Sequence, residues 1–80
     1  MNRQDVFNKI QEVFRDVLDN ETIVLNEETS ADDIEEWDSL THIQLVVELE
    51  KAFCIKFSAK EILLWENVGE MADSIMAKIQ

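Results

Sequence analysis

The chain contains no proline and one glycine, Gly69, in 80 residues. Proline and glycine interrupt regular backbone and shape the turns of hairpins, so a sandwich of short strands fits poorly and a mostly helical chain fits well. Apolar spacing agrees. Val6, Phe7, Ile10, Val13, Phe14, Val17 and Leu18 recur at intervals of three and four. That spacing places them on one face of a helix from about Arg3 to Leu18, ending in the polar Asp19-Asn20-Glu21. A second helix is expected from about Ser39 to Phe53, with Leu45, Leu49 and Phe53 every four residues, Ile43 and Val46 beside them, and Asp38 as its N-cap. Ser58-Ala59-Lys60-Glu61 has the form of a capping box for a short third helix that carries Ile62, Leu63 and Leu64 and stops near Trp65. Asn67-Val68-Gly69-Glu70 opens a last helix, striped by Met71, Ala72, Ile75, Met76 and Ile79. The expected fold is all-α: a small four-helix bundle of three longer helices and one short third helix, in a single domain over residues 1–80.

The connection from about Asp19 to Asp38 is long and acidic, with Glu27, Glu28, Asp32, Asp33, Glu35 and Glu36. It also carries Ile23, Leu25, Ile34 and Trp37, which a solvated linker does not need. The loop is therefore expected to be pinned across the bundle by these residues, with Ser30-Ala31-Asp32-Asp33 capping one short turn inside it. Loops of this length in a compact domain are uncommon and often functional.

Composition removes several functions. A net charge of −11, from 18 acidic and 7 basic residues, argues against nucleic-acid binding, which needs a basic footprint. Acidic surfaces favour basic protein partners and steer their encounter. The segment behind the N-terminus has no long apolar run and no stretch approaches a membrane span, so a soluble, cytoplasmic monomer without membrane insertion is expected. One cysteine, Cys54 in Ala52-Phe53-Cys54-Ile55, allows no intrachain disulfide and reads as a small semi-buried packing residue. One histidine and one cysteine do not make a zinc site. The acidic stretch from Asp19 to Glu28 has Val24 where an EF-hand requires glycine. No Gly-x-Ser-x-Gly elbow exists, and His42, three residues after Ser39, has no orienting acid or oxyanion hole, so it is expected at the surface or in a partner contact and not in catalysis. Phe7, Phe14 and Phe53 read as core. Trp37 and Trp65 flank the second and third helices, at the border of a possible ligand cleft.

Trp37-Asp38-Ser39-Leu40, followed by Leu45-Val46-Val47-Glu48-Leu49-Glu50, resembles the acyl carrier protein family, whose prosthetic-group site is Asp-Ser-Leu at the start of the second helix. The resemblance covers nearly the whole chain: the acidic first loop, the second helix ending in Phe53, the Phe57-Ser58 entry to a short helix, and Asn67-Val68-Gly69-Glu70. It implies that the chain is not an enzyme. A phosphopantetheinyl transferase would move the 4'-phosphopantetheine arm of coenzyme A onto Ser39, with Asp38 and Leu40 as motif neighbours. The arm would carry acyl groups as thioesters to partner enzymes of fatty-acid-like or specialised biosynthesis: an acyl- or aminoacyl-activating enzyme, a ketosynthase or an acyltransferase. The first turn of a helix, with unpaired N–H groups and the positive end of its dipole, tolerates the resulting phosphate. Alone, Ser39 also has the plainer reading of a helix N-cap.

Partner recognition is expected at Trp37, Asp38, Leu40, Val47, Glu48 and Glu50. An acyl cleft is expected between the second and third helices, lined by Ile43, Val46, Val47, Phe57, Ile62 and Leu63. Fatty-acid carriers often place acids two and five residues after the serine; here Thr41 and Gln44 stand there, Lys51 replaces another common acid, and Trp37 precedes the Asp. These departures imply a dedicated partner set. Two alternatives stay open: a peptidyl or aminoacyl carrier, and an unmodified acidic helical interaction module.

Overall fold

In the computed structural model, which describes residues 2–79, the chain forms four helices: α1 (Arg3–Val17), α2 (Ser39–Phe53), α3 (Ala59–Leu64) and α4 (Val68–Ile79). The terminal positions 1 and 80 of the expected domain lie outside the described residues. The core is the meeting of α1 with α2 and α4. Val6, Ile10 and Phe14 of α1, Leu45 and Leu49 of α2, and Val68, Met71, Ala72 and Ile75 of α4 are fully buried. All but Val68 belong to the apolar stripes read from the sequence. No residue of α3 is buried, so that helix rests on the bundle without being part of its core.

Each of the first three helices begins with reciprocal side-chain caps. Asn2 Oδ1 accepts from Asp5 N at 2.9 Å while Asn2 N donates back to the Asp5 carboxylate. Ser58 and Glu61 form the expected box at the start of α3. Both long N-terminal helices end through a residue in the left-handed region, Asp19 (φ 51°) and Cys54 (φ 56°). In each case the following N–H reaches back to a carbonyl of the last turn, Asn20 N to Arg15 O at 3.0 Å and Ile55 N to Glu50 O at 3.1 Å. Cys54 is consequently exposed, and the expectation of a semi-buried packing residue is corrected: the left-handed turn swings its side chain off the apolar face.

The long loop is pinned as its apolar residues require. Ile23, Leu25, Ile34 and Trp37 are all buried, and Ala31–Asp33 forms one short 3-10 turn. Polar side chains of α1 hold its backbone: Gln11 accepts from Leu25 N at 2.9 Å, and Arg15 donates to Ile23 O at 2.8 Å. Loop carbonyls in turn satisfy the N–H groups left open at the start of α4, Val68 N to Thr29 O at 2.8 Å and Gly69 N to Glu27 O at 2.9 Å. Arg3 ties the same corner together, bonding Glu27, Asp73 and Gly69 O.

The lone glycine is explained by this contact. A Cβ on Gly69 would lie 2.7 Å from Glu27 O, a backbone atom that already accepts the Gly69 N–H. Alanine in a helix interior gains up to about 1 kcal/mol over glycine. Forcing an extra carbon into a packed contact costs about 1–3 kcal/mol, so Gly69→Ala is expected to lower stability, read as a lower urea midpoint.

Candidate functional site

Asp38 is the N-cap of α2, and its Oδ1 accepts from Leu40 N and Thr41 N, both at 2.9 Å. Thr41 completes the box, its hydroxyl accepting from Asp38 N at 2.8 Å and donating to Glu36 O at 2.9 Å. The cap thus falls to Asp38, and the Ser39 hydroxyl enters no hydrogen bond among the described residues. Ser39 is exposed on the first turn. The backbone N–H groups of Thr41 and then Leu40 hold the Asp38 carboxyl below the usual carboxylate range.

Beside Ser39 lies a hollow of about 460 Å³ between α2, α3 and the loops, bordered by Ala31, Trp37, His42, Ile43, Ile62, Leu63, Trp65 and Asn67. Its back wall is aromatic. Trp37 packs edge-on against Phe14 at 4.9 Å and lies parallel to His42 at 5.9 Å; Trp65 meets His42 edge-on at 6.2 Å and Phe57 at 4.8 Å. Both indole N–H groups are spent on protein partners, Trp37 Nε1 on His42 Nδ1 at 3.0 Å and Trp65 Nε1 on Ser74 Oγ at 2.9 Å. Because an indole N–H only donates, His42 Nδ1 must be the acceptor, and the ring proton of neutral His42 sits on Nε2.

The six residues expected to line one cleft have four different surroundings. Ile43, Ile62 and Leu63 border the hollow with Ser39, Leu63 being 84% exposed. Val46 is buried in the core. Val47 does not border the hollow and faces other grooves, one of them shared with Asp16, Val17, Ile43, Gln44 and Glu48, so that Ile43 borders both. Phe57 packs behind the hollow on Trp65. The correction has a geometric origin: α2 is apolar around more than one face, and composition does not say which neighbour each face meets.

Of the residues expected to meet partners, Leu40 is 68% exposed, and Val47 and Glu48 are also on the surface. Trp37 is buried, and the expectation that it contacts partners is corrected to a core role linking the loop to α1 and α2. Glu50 is half-buried and accepts from Phe57 N at 2.8 Å, so it fixes the turn between α2 and α3 and does not present a free charge. Four features were missed from the sequence: the Trp37–His42 bond, the Thr41 cap, and the contributions of Ala31 and Asn67 to the hollow. Only Trp37 and His42 as rare polar-tipped aromatics near Ser39 hinted at the first.

Burial holds the His42 imidazole below the ordinary value of 6.5. The unfolded chain therefore binds a proton that the folded chain refuses, and stability falls as pH drops below 6.5 toward the folded value. Asp38, Glu27 and Glu61 are shifted down, so their contribution is present above ordinary carboxylate values and is lost only at more acidic pH. Urea midpoints across pH are expected to decline in two separate steps, with the first absent in His42→Phe.

A family model for the phosphopantetheine attachment site matches residues 8–75. The chain belongs to this family, the acyl carrier proteins; its members are carriers, not catalysts, and their prosthetic group is 4'-phosphopantetheine. The chain is also similar to the solution NMR structure of a holo acyl carrier protein from Geobacter metallireducens, with a TM-score of 0.87 and 43% identity over 92% of this chain and 85% of that one. The site fits such a group: an exposed hydroxyl without cap duty on the first turn of a 15-residue helix, open to a hollow beside it. Among the described residues no helix is long and apolar enough to cross a membrane, and no group of His, Cys, Asp or Glu is placed to hold a metal ion.

Proposed function

We propose that Ser39 is the attachment residue, and that the chain carries acyl groups as thioesters on a 4'-phosphopantetheine arm for delivery to partner enzymes. The observation that supports this is the division of labour at the start of α2: Asp38 caps the helix, which leaves the Ser39 hydroxyl exposed. In the loading step the Ser39 oxygen bonds to the phosphorus that bears the pantetheine arm, the pyrophosphate bond of coenzyme A breaks, and the adenosine-containing phosphate leaves. The transferase supplies the base, since among the described residues no side chain accepts from Ser39 and Asp38 is engaged by Leu40 N and Thr41 N. The chain's own part is to hold Ser39 clear of the core and to place the new phosphodiester at the positive end of α2.

The partners are proposed to be a phosphopantetheinyl transferase, an acyl-activating enzyme, and a ketosynthase or acyltransferase of a specialised pathway in the cytoplasm. The first turn of α2 contains no acid, Thr41 is committed to the cap, and Leu40, Ile43 and Val47 form an exposed apolar row. Docking through that row, flanked by Glu48, depends less on charge than docking on an acidic helix would. The test is intact mass: incubation with coenzyme A and a broad-specificity transferase should add one phosphopantetheine. Failure of several transferases would favour an unmodified interaction module. Efficient chain elongation by housekeeping fatty-acid synthase enzymes would defeat the specialised assignment.

A further inference from the structure

The hollow beside Ser39 is apolar on most of its border, yet His42 stands in it as a polar donor, with Asn67 and the Ser39 hydroxyl at its edge. His42 is half-buried between Trp37 and Trp65, and its Nδ1 is occupied by the Trp37 indole N–H at 3.0 Å. The remaining ring nitrogen, Nε2, therefore carries the proton, and it donates to no protein atom among the described residues. No charged side chain pairs with the ring: its neighbours are two indoles, and the titratable side chain bordering the same hollow besides Asp38 is Glu66, itself exposed. Burial keeps the ring neutral near pH 7, so it is a fixed dipole and not a charge. A saturated acyl chain lying in this hollow would strip water from the Nε2–H and give it nothing in return, which is unfavourable for a half-buried donor. A group that brings an oxygen there would restore the bond. Ile43, Ile62 and Leu63, which border the hollow, would meanwhile cover its short carbon skeleton.

We propose that His42 is a specificity-determining residue for the cargo, donating from Nε2 to a hydroxyl or carbonyl oxygen of a short acyl group tethered to Ser39, so that the hollow prefers oxygen-bearing acyl groups to saturated ones. Trp37 is the positioning residue that sets the tautomer. The inference rests on attachment at Ser39.

The test uses the whole chain loaded in one step from 3-hydroxybutyryl-coenzyme A or from butyryl-coenzyme A by a broad-specificity transferase. Intact mass establishes attachment separately: no added mass overturns the attachment reading itself. On loaded protein carrying ¹⁵N-histidine, the solvent exchange of His42 Nε2–H is compared between forms. A net hydrogen bond of ordinary strength predicts slowing of about fivefold in the 3-hydroxybutyryl form relative to the butyryl form. Equal exchange in the two forms overturns the proposal. So does full slowing in the unloaded holo form, which would make the arm's own amide the partner. In His42→Phe, which keeps a ring between the indoles, thioester cleavage by hydroxylamine should lose the protection that distinguishes 3-hydroxybutyryl from butyryl in the wild type. A difference that persists in the variant also overturns it, and the wild-type comparison stands even if the variant folds poorly.

Discussion

Ser39→Ala is expected to gain no mass from coenzyme A under conditions that modify the wild type completely, and to unfold at nearly the same urea concentration. The two halves of this expectation come from one arrangement. Ser39 is exposed, its hydroxyl bonds nothing among the described residues, and alanine is the better helix former at that position. Surface substitutions of this kind usually change stability by less than about 0.5 kcal/mol. Had Ser39 been the cap, its loss would have weakened α2. The neighbouring substitution gives the opposite dissociation. Asp38→Ala removes the acceptor for Leu40 N and Thr41 N and the ionised group those bonds hold, so it should lower the urea midpoint. Any effect of Asp38→Ala on loading then comes with a stability change, while that of Ser39→Ala does not. A Ser39→Ala chain that still gained one phosphopantetheine would displace Ser39 from its role.

Why the helices were legible and the hollow was not follows from the range of the interactions involved. Helix starts are local: Asp38 before Ser39 and Ser58 three residues before Glu61 act within one turn, so the sequence alone places α2 and α3. The core of α1 and α4 is nearly as local, because one periodic stripe identifies the buried face without naming what covers it. The pinned loop was readable for a related reason: Ile23, Leu25, Ile34 and Trp37 in an acidic stretch have no purpose other than burial. The hollow depends instead on how α2 and α3 cross. Val46 and Val47 are adjacent and alike in sequence, yet one is in the core and the other turns to a groove beside Val17. Nothing in their chemistry separates them; the rotation of α2 against α1 does. Glu50 and Trp37 show the same limit for polar and aromatic residues. A charge on a helix and an indole beside a motif both read as contact points, and both turn out to serve the chain's own backbone and core. The assignment of Cys54 failed for a different reason, since a left-handed φ at a residue other than glycine has no composition cue.

Trp37→Ala is expected to be strongly destabilising. Trp37 is buried, meets Phe14 edge-on at 4.9 Å, and closes the loop over α1 just before the cap of α2. Truncating a buried tryptophan to alanine costs about 3–5 kcal/mol. A domain of this length has in total roughly 4–12 kcal/mol of stability, so most or all of the cooperative transition should be lost, as measured by urea unfolding followed through Trp65 fluorescence. Trp37→Phe separates packing from the hydrogen bond. Its ring preserves much of the contact with Phe14 but cannot donate to His42 Nδ1, so the loss should be smaller while the imidazole loses its fixed tautomer. Freed of that partner and opened to water by the smaller ring, His42 should titrate closer to the ordinary 6.5, which an NMR titration of the ring reads directly. If Trp37→Phe leaves both the titration and the Nε2 exchange unchanged, the indole is packing alone. A shifted titration in a chain that still folds would establish that the residue before the Asp-Ser-Leu motif links the loop's burial to the chemistry available beside Ser39.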